Sequence, residues 1–308
     1  MLTRSVRTIG KRLLYDAFVT MQRVGINLLP LHFYSPIPDI RDLRSRADWM
    51  LPRSMHGIAS LSIGEQLAWL SELLAALPHQ TREAGIHRAA ISANGTDGYG
   101  EIEAEALAAF IASCRPPKIV QIGCGVSTAV ILAAARSAGY APRVTCIEPY
   151  PSRYLRQEAG AGAINLLASP AQSIDLGVIT DLGARDLLFI DSTHTVKPGS
   201  EVNRIILEVL PRLRPGAFVH FHDIYFPFDY SRGLLAGDLF FPSECVLLYA
   251  FLLQNPSYRI ELCLSILHYE AALQLKMLIP RYDSQMNRAG LRAPGGTHFP
   301  SSLYLRCV

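Results

Sequence analysis

Two short stretches of this 308-residue chain carry side chains that can move protons or hold a cation. The first, Asp186-Leu-Leu-Phe-Ile-Asp191-Ser-Thr-His194, is an apolar run that ends in a carboxylate and an imidazole. The second, Ala217-Phe-Val-His-Phe-His-Asp223, ends the same way, in His222 and Asp223. Imidazole titrates nearest neutrality, and a carboxylate beside it fixes its tautomer. His194 or His222, with Asp223, therefore makes a candidate general base for a hydroxyl or amine. The same atoms offer a second chemistry, in which Asp191, His222 and Asp223 hold a divalent ion that polarises an acceptor oxygen. An imidazole in that set suits a softer ion than Mg²⁺. His220, deeper in its run, reads as a core or supporting histidine rather than a catalytic one.

The elements that must position these groups are buried strands. In an open α/β sheet, ligands bind outside the carboxyl ends of the strands, which is where Asp191, His194, His222 and Asp223 fall. From residue 101 onward, β-rich apolar runs alternate with helical patterns. The runs place strands at 118–122, 143–147, 164–168, 186–190, 217–222, 258–264 and 301–307. Helices are expected near 101–114, 127–138, 200–213, 242–254 and 266–279. This is an α/β class chain with a Rossmann-like, seven-stranded, mostly parallel sheet and helices on both faces. The last strand follows a glycine-rich turn, so a terminal hairpin would set an antiparallel strand at the sheet edge. Upstream, residues 4–24 read as a helix, the proline-rich segment 29–39 as an extended arm, and 64–77 as a second helix. We therefore expect an N-terminal helical and proline-rich module over 1–100 and a ligand-binding domain over 101–308.

The first strand runs into a glycine turn, Lys118-Ile-Val-Gln121-Ile-Gly123-Cys-Gly125-Val-Ser127-Thr128. Its glycines permit a tight turn and close backbone approach to a ligand. A dinucleotide fingerprint requires a third glycine where Thr128 stands, which weakens an NAD-dependent oxidoreductase as an alternative. The second strand ends in Glu148, placed to accept hydrogen bonds from ribose hydroxyls. With this pair of features the chain resembles the class I S-adenosylmethionine-dependent methyltransferases. The resemblance covers residues 101–308. It implies S-adenosylmethionine as cofactor, held by Gly123, Gly125, Ser127, Thr128, Glu148, Pro149 and Asp191, with Gln172 and Ser173 near the adenine. Gln121 stands where members usually carry an acid that contacts the methionine end. Metal-dependent O-methyltransferases are similar in having an acid after the fourth strand and an acidic pair after the fifth, which maps a metal onto Asp191, His222 and Asp223. The strings around Asp191 and His222 also look like a bacterial small-molecule subgroup with an arm such as His32-Phe-Tyr-Ser-Pro-Ile-Pro38. On that likeness, His32, Tyr34 and Tyr230 face the acceptor, with the Phe226–Asp238 loop as a cover. The competing reading of these aromatics is that they anchor the arm.

Composition narrows the setting. A net charge of +3 over this length, with no concentrated basic face, argues against nucleic acid. The six cysteines are scattered without metal or redox spacing, which fits a reducing, cytoplasmic compartment. No apolar run approaches the length of a membrane span. The first helix carries Arg4, Arg7, Lys11 and Arg12, but Tyr15 and Asp16 interrupt the apolar core a signal peptide needs. It reads as packing on its own domain or lying on a membrane surface. The expected function is methyl transfer to an oxygen or nitrogen of a small polar acceptor. The alternative of another class is a non-catalytic, methyltransferase-like binding protein. Acceptor identity and homo-oligomer formation are not encoded in these motifs.

Overall fold

The computed structural model describes residues 4–78, 85–230, 235, 237–282 and 300–308. The chain divides into two compact units, Met1–Ala47 and Asp48–Val308. The first holds α1 (Arg4–Gln22) and α2 (Ile40–Ser45). Asp39 starts α2 by accepting a hydrogen bond from the Arg41 backbone N–H at 2.8 Å, one of the orphan donors every helix start exposes.

The second unit is built on one seven-stranded sheet. Its helices include α3 (Ile63–Ala76), α4 (Ile86–Asn94), α5 (Glu101–Cys114), α6 (Val126–Ser137), α7 (Arg153–Gly160), α8 (Leu176–Thr180), α9 (Glu201–Arg204), α10 (Glu244–Leu252), α11 (Leu264–Glu270) and α12 (Ala272–Leu278). The strands are β1 (Lys118–Ile122), β2 (Arg143–Ile147), β3 (Asn165–Leu167), β4 (Leu187–Ile190), β5 (Phe218–Phe221), β6 (Tyr258–Cys263) and β7 (Leu303–Cys307). They lie in the order β3-β2-β1-β4-β5-β7-β6. β7 runs antiparallel to both of its neighbours, and the other pairings are parallel. The expected edge position for the last strand is thus corrected: β7 inserts between β5 and β6, and β6 takes the edge. The glycine-rich turn before it lies outside the described residues. Part of the β6 edge is covered by residues 59–61, where Leu61 donates to Ile260 O and Ile260 donates to Ala59 O, each at 2.9 Å.

Burial on both faces explains why the central strands are rich in apolar residues. Ile119, Leu187, Phe189 and Phe218 pack with α3, α5 and α6. Val120, Leu188, Ile190, Val219 and Phe221 pack with the segment 202–210 and α10. Every residue of α5 from Ile102 to Ala112 is buried, including Glu103 and Glu105, so this helix has no solvent stripe. Leu70, Leu73 and Leu74 of α3 and Ile86 and Ala90 of α4 share that core, so α3 and α4 fold onto the sheet. The helix expected over 200–213 begins as α9 but widens to a π-helix at Ile205–Val209 and tightens at Leu210–Arg212. Pro211 has no N–H to close the α-helical bond to residue 207, which accounts for the change of pitch.

Gly123 fixes how closely β1 and β4 approach at their carboxyl ends. It has φ +78°, and a Cβ there would lie 1.7 Å from the carbonyl oxygen of Asp191. Because that obstacle is backbone, no side-chain rotation relieves it. We expect Gly123→Ala to destabilise the protein by more than about 3 kcal/mol in chemical denaturation. A loss below about 1 kcal/mol would contradict this packing.

Candidate active site

The strand ends open into a cleft of about 410 Å³, bordered by Gly123, Glu148, Pro149, Gln172 and Asp191. The Glu148 carboxylate accepts from the backbone N–H of Tyr150 at 2.8 Å and of Cys124 at 3.3 Å, tying the glycine turn to the end of β2. Gln121, Ser127 and Thr128 are placed differently. All three are buried, with Gln121 Nε2 donating to Ser127 Oγ at 2.7 Å and Thr128 Oγ1 donating to Gln121 Oε1 at 2.8 Å. They brace the start of α6 against β1 from inside the core instead of bordering the cleft. Thr128 thereby uses the position where a dinucleotide turn would need glycine. Gly125 approaches Asn94, whose Nδ2 would lie 3.2 Å from a Cβ at that glycine. Ser173 closes a short 3₁₀ turn behind Gln172.

Other lining residues escaped the sequence reading: Tyr150, Ser192, Thr193, Lys197, Ser200 and Glu201. Ser200 caps α9 through the Asn203 N–H. Glu201 Oε1 accepts from both the N–H and the hydroxyl of Thr193, at 3.0 and 2.6 Å. The cap at Ser200 was the available sequence signal, but it reads equally as an ordinary helix start.

Beside the cleft stands the acid–histidine cluster. The parallel register pairs Ile190 with Phe221, so the residues that follow, Asp191 and His222, are neighbours. His222 Nδ1 lies 3.2 Å from Asp191 Oδ1 and 3.7 Å from Asp223 Oδ2. His194 Nε2 lies 3.5 Å from Asp191 Oδ1 and 3.6 Å from Asp223 Oδ2. On the far side, His194 Nδ1 meets Glu244 Oε2 at 2.8 Å. The side chains of His194 and His222 are 8% and 2% exposed, whereas Asp191 and Asp223 are 22% and 28% exposed. The cluster thus presents carboxylate oxygens outward and keeps its imidazoles behind them. His194 and Asp223 both sit at φ +56°, a strained conformation for residues with a side chain, of the kind that collects at functional sites.

Supporting groups come from distant segments. Tyr225 OH donates to Asp223 Oδ1 at 2.8 Å, and Ser301 Oγ donates to the same oxygen at 3.0 Å. Glu103 Oε1 accepts from Ser301 N at 2.9 Å and lies 3.9 Å from His222 Nε2. His220 stacks on Phe189 at 4.3 Å with 5° between the rings, and its Nε2 lies 3.0 Å from Ser302 Oγ. Burial drives its pKa well below the ordinary value, so it is a neutral core histidine. Tyr230 is buried, edge-on to Tyr225 at 5.3 Å. Residues 231–234 and 236 of the expected covering loop lie outside the described residues. In the first unit, His32 and Tyr34 are exposed.

Electrostatics follow from this geometry. Burial pulls the His222 pKa down, but Asp223, Asp191 and Glu103 more than reverse that and raise it to about 9. Burial also opposes protonation of His194, and its bonds to Asp191 and Glu244 again win, raising its pKa. For Asp191 and Asp223, burial acts to raise the pKa, yet the two histidines hold both below the usual carboxylate range. Near neutral pH the cluster is therefore an imidazolium–carboxylate network. The structure brings Asp191, His222 and Asp223 together. Among the described residues, however, no group of three or more His, Cys, Asp or Glu side chains could hold a metal ion. No step is derived through an ion.

A family model described as a methyltransferase domain matches residues 120–224, from β1 to just past Asp223. A protein of Archaeoglobus fulgidus, described as uncharacterised, is 30% identical over 176 residues, which span 52% of this chain and 76% of that relative. Among solved structures, a methyltransferase of Podospora anserina bound to S-adenosylhomocysteine is 15% identical, with coverage of 90% of this chain and 100% of the other and a TM-score of 0.40. The plantazolicin methyltransferase BpumL, also bound to S-adenosylhomocysteine, is 14% identical, with coverage of 80% and 98% and a TM-score of 0.37. The domain match runs along the strands and turns that build the cleft, which places residues 120–224 with the methyltransferase domains. No helix among the described residues is long and apolar enough to cross a membrane.

The cluster ties stability to pH. The folded pKa of His222 is raised above its ordinary 6.5, so its contribution is full below pH 6.5 and is lost as pH rises through about 9. Asp191 and Asp223 are depressed from 3.8, so their contribution is present above that value and is lost as pH falls through their lower folded pKa values. We expect the Tm to be highest between about pH 5 and 6.5 and to fall progressively from there to about pH 9, with a shallower alkaline fall in His222→Gln. An alkaline fall of the same slope in both proteins would contradict this assignment.

Proposed function

We propose that this protein transfers a methyl group from S-adenosylmethionine to an oxygen or nitrogen of a small polar acceptor, with the acid–histidine cluster receiving the acceptor's proton. The observation that carries the reading is the double position of Asp191. It borders the cofactor cleft and contacts both His222 and His194. Glu148, at the end of β2, is assigned to the ribose hydroxyls, and Gln172 to the adenine side. The acceptor's lone pair forms a bond to the methyl carbon as the carbon–sulfur bond breaks, and that electron pair stays on sulfur as a neutral thioether. The acceptor's proton passes to the cluster, where the half-buried carboxylates of Asp191 and Asp223 orient the hydroxyl or amine and an imidazole behind them takes the proton. Asp191, His194, His222 and Asp223 are the residues assigned to this step. His32, Tyr34 and Tyr230 are not needed for it.

Asp223 separates chemistry from cofactor binding, because it belongs to the cluster but does not border the cleft. We expect calorimetry to show S-adenosylhomocysteine binding in the unmodified protein, a loss of about tenfold or more in Glu148→Ala, and little change in Asp223→Asn. In a labelled-methyl assay over hydroxylated and amine acceptors, Asp223→Asn should lower kcat by roughly 10²-fold. Absence of S-adenosylhomocysteine binding would overturn the reading. Cofactor binding without transfer to any acceptor would favour a binding protein instead. A neutral imidazole is needed to accept the proton, so the kcat profile should climb through neutral pH toward about 9, and His222→Gln should remove that limb.

A further inference from the structure

We propose that the N-terminal unit, residues 1–47, docks the protein on an anionic lipid surface. The first observation is charge. Residues 1–47 carry eight Lys and Arg against three Asp and Glu, while the remaining residues carry 21 against 23. The small net charge of the whole chain hides a basic unit joined to a slightly acidic one.

The second observation is exposed apolar surface in that same unit. Ten of the 21 exposed large apolar side chains among the described residues fall there, including Leu13 at 66%, Tyr15 at 65% and Val24 at 68%. In α1, Leu13, Ala17 and Met21 recur at a spacing of four, which places them along one stripe of the helix. The same segment of sequence carries Arg4, Arg7, Lys11 and Arg12. A helix with an apolar stripe beside a basic one lies in the headgroup region of a bilayer, with its cations paired to lipid phosphates.

The third observation is the tip of the arm. Ser35 N donates to His32 O at 2.8 Å and Tyr34 N donates to His32 Nδ1 at 3.1 Å, closing a tight turn. That turn carries Phe33 and Tyr34 with ring centroids 4.0 Å apart, exposed by 87% and 79%. Paired aromatics on an outward turn suit the membrane–water interface, where amphipathic rings settle at headgroup depth. Charge complementarity selects lipid phosphate over a neutral apolar partner. α1 would lie on the bilayer rather than cross it, because no helix among the described residues is long and apolar enough to span.

The test is sedimentation of the full chain with phosphatidylcholine vesicles, with and without about 30 mol% phosphatidylglycerol. We expect binding to the anionic vesicles, release at about 0.5 M salt, and at least a roughly tenfold weaker partition in a Leu13→Glu, Leu14→Glu double variant. S-adenosylhomocysteine affinity serves as the fold control and should be unchanged in that variant. No sedimentation with anionic vesicles would overturn the proposal, as would equal binding to both vesicle types. Concentration-dependent dimers that the double variant dissolves would assign the face to a second copy and overturn it too. Salt-sensitive capture of RNA in place of vesicles would do the same.

Discussion

The contact between Asp191 and His222 is the interaction on which the site depends. It exists because β4 and β5 are parallel neighbours in a register that pairs Ile190 with Phe221, with His222 N bonded to Ile190 O at 2.9 Å. A one-residue slip would turn the following side chains to opposite faces of the sheet. Gly123 allows the same strand end to close against β1, because only a residue without Cβ tolerates the Asp191 carbonyl at that distance. One backbone neighbourhood therefore shapes the cleft and aims the carboxylate that the histidines share.

Charge balance explains how six ionisable groups persist in a largely buried site. Unpaired, a buried imidazolium or carboxylate would be costly. Here His194 lies between Glu244 and the two aspartates, and His222 between Asp191, Asp223 and Glu103. The mutual holding raises the histidines and lowers the aspartates, leaving proton positions that respond to whatever enters the cleft beside Asp191. Coupling of this kind suits a reaction in which a cationic sulfonium becomes neutral and a proton must leave the acceptor.

Much of this was legible in the sequence because it is local. Runs rich in apolar and β-forming residues marked all seven strands, and the residues just past β4 and β5 marked Asp191, His194, His222 and Asp223. What was not legible is non-local. Glu244 opens a helix, where an acidic residue reads as a partner for the helix dipole, and only the fold brings it to His194. Glu103 and Ser301 lie 198 positions apart yet bond to each other beside the cluster. Gln121 looked like a cofactor contact from its place near the glycines, but its amide satisfies Ser127 and Thr128 inside the core. The position of β7 is set by pairing with β5 and β6, and no local pattern in its own sequence records those partners.

The central claim is that the cofactor cleft and the histidine cluster are coupled through Asp191. Nitrogen-15 NMR titration of the His222 ring, with and without S-adenosylhomocysteine, tests it directly. The account expects the free protein to hold that proton to about pH 9, and the bound ligand to lower the titration midpoint by drawing on Asp191. A midpoint near the ordinary 6.5, or one that the ligand leaves unmoved, would contradict it.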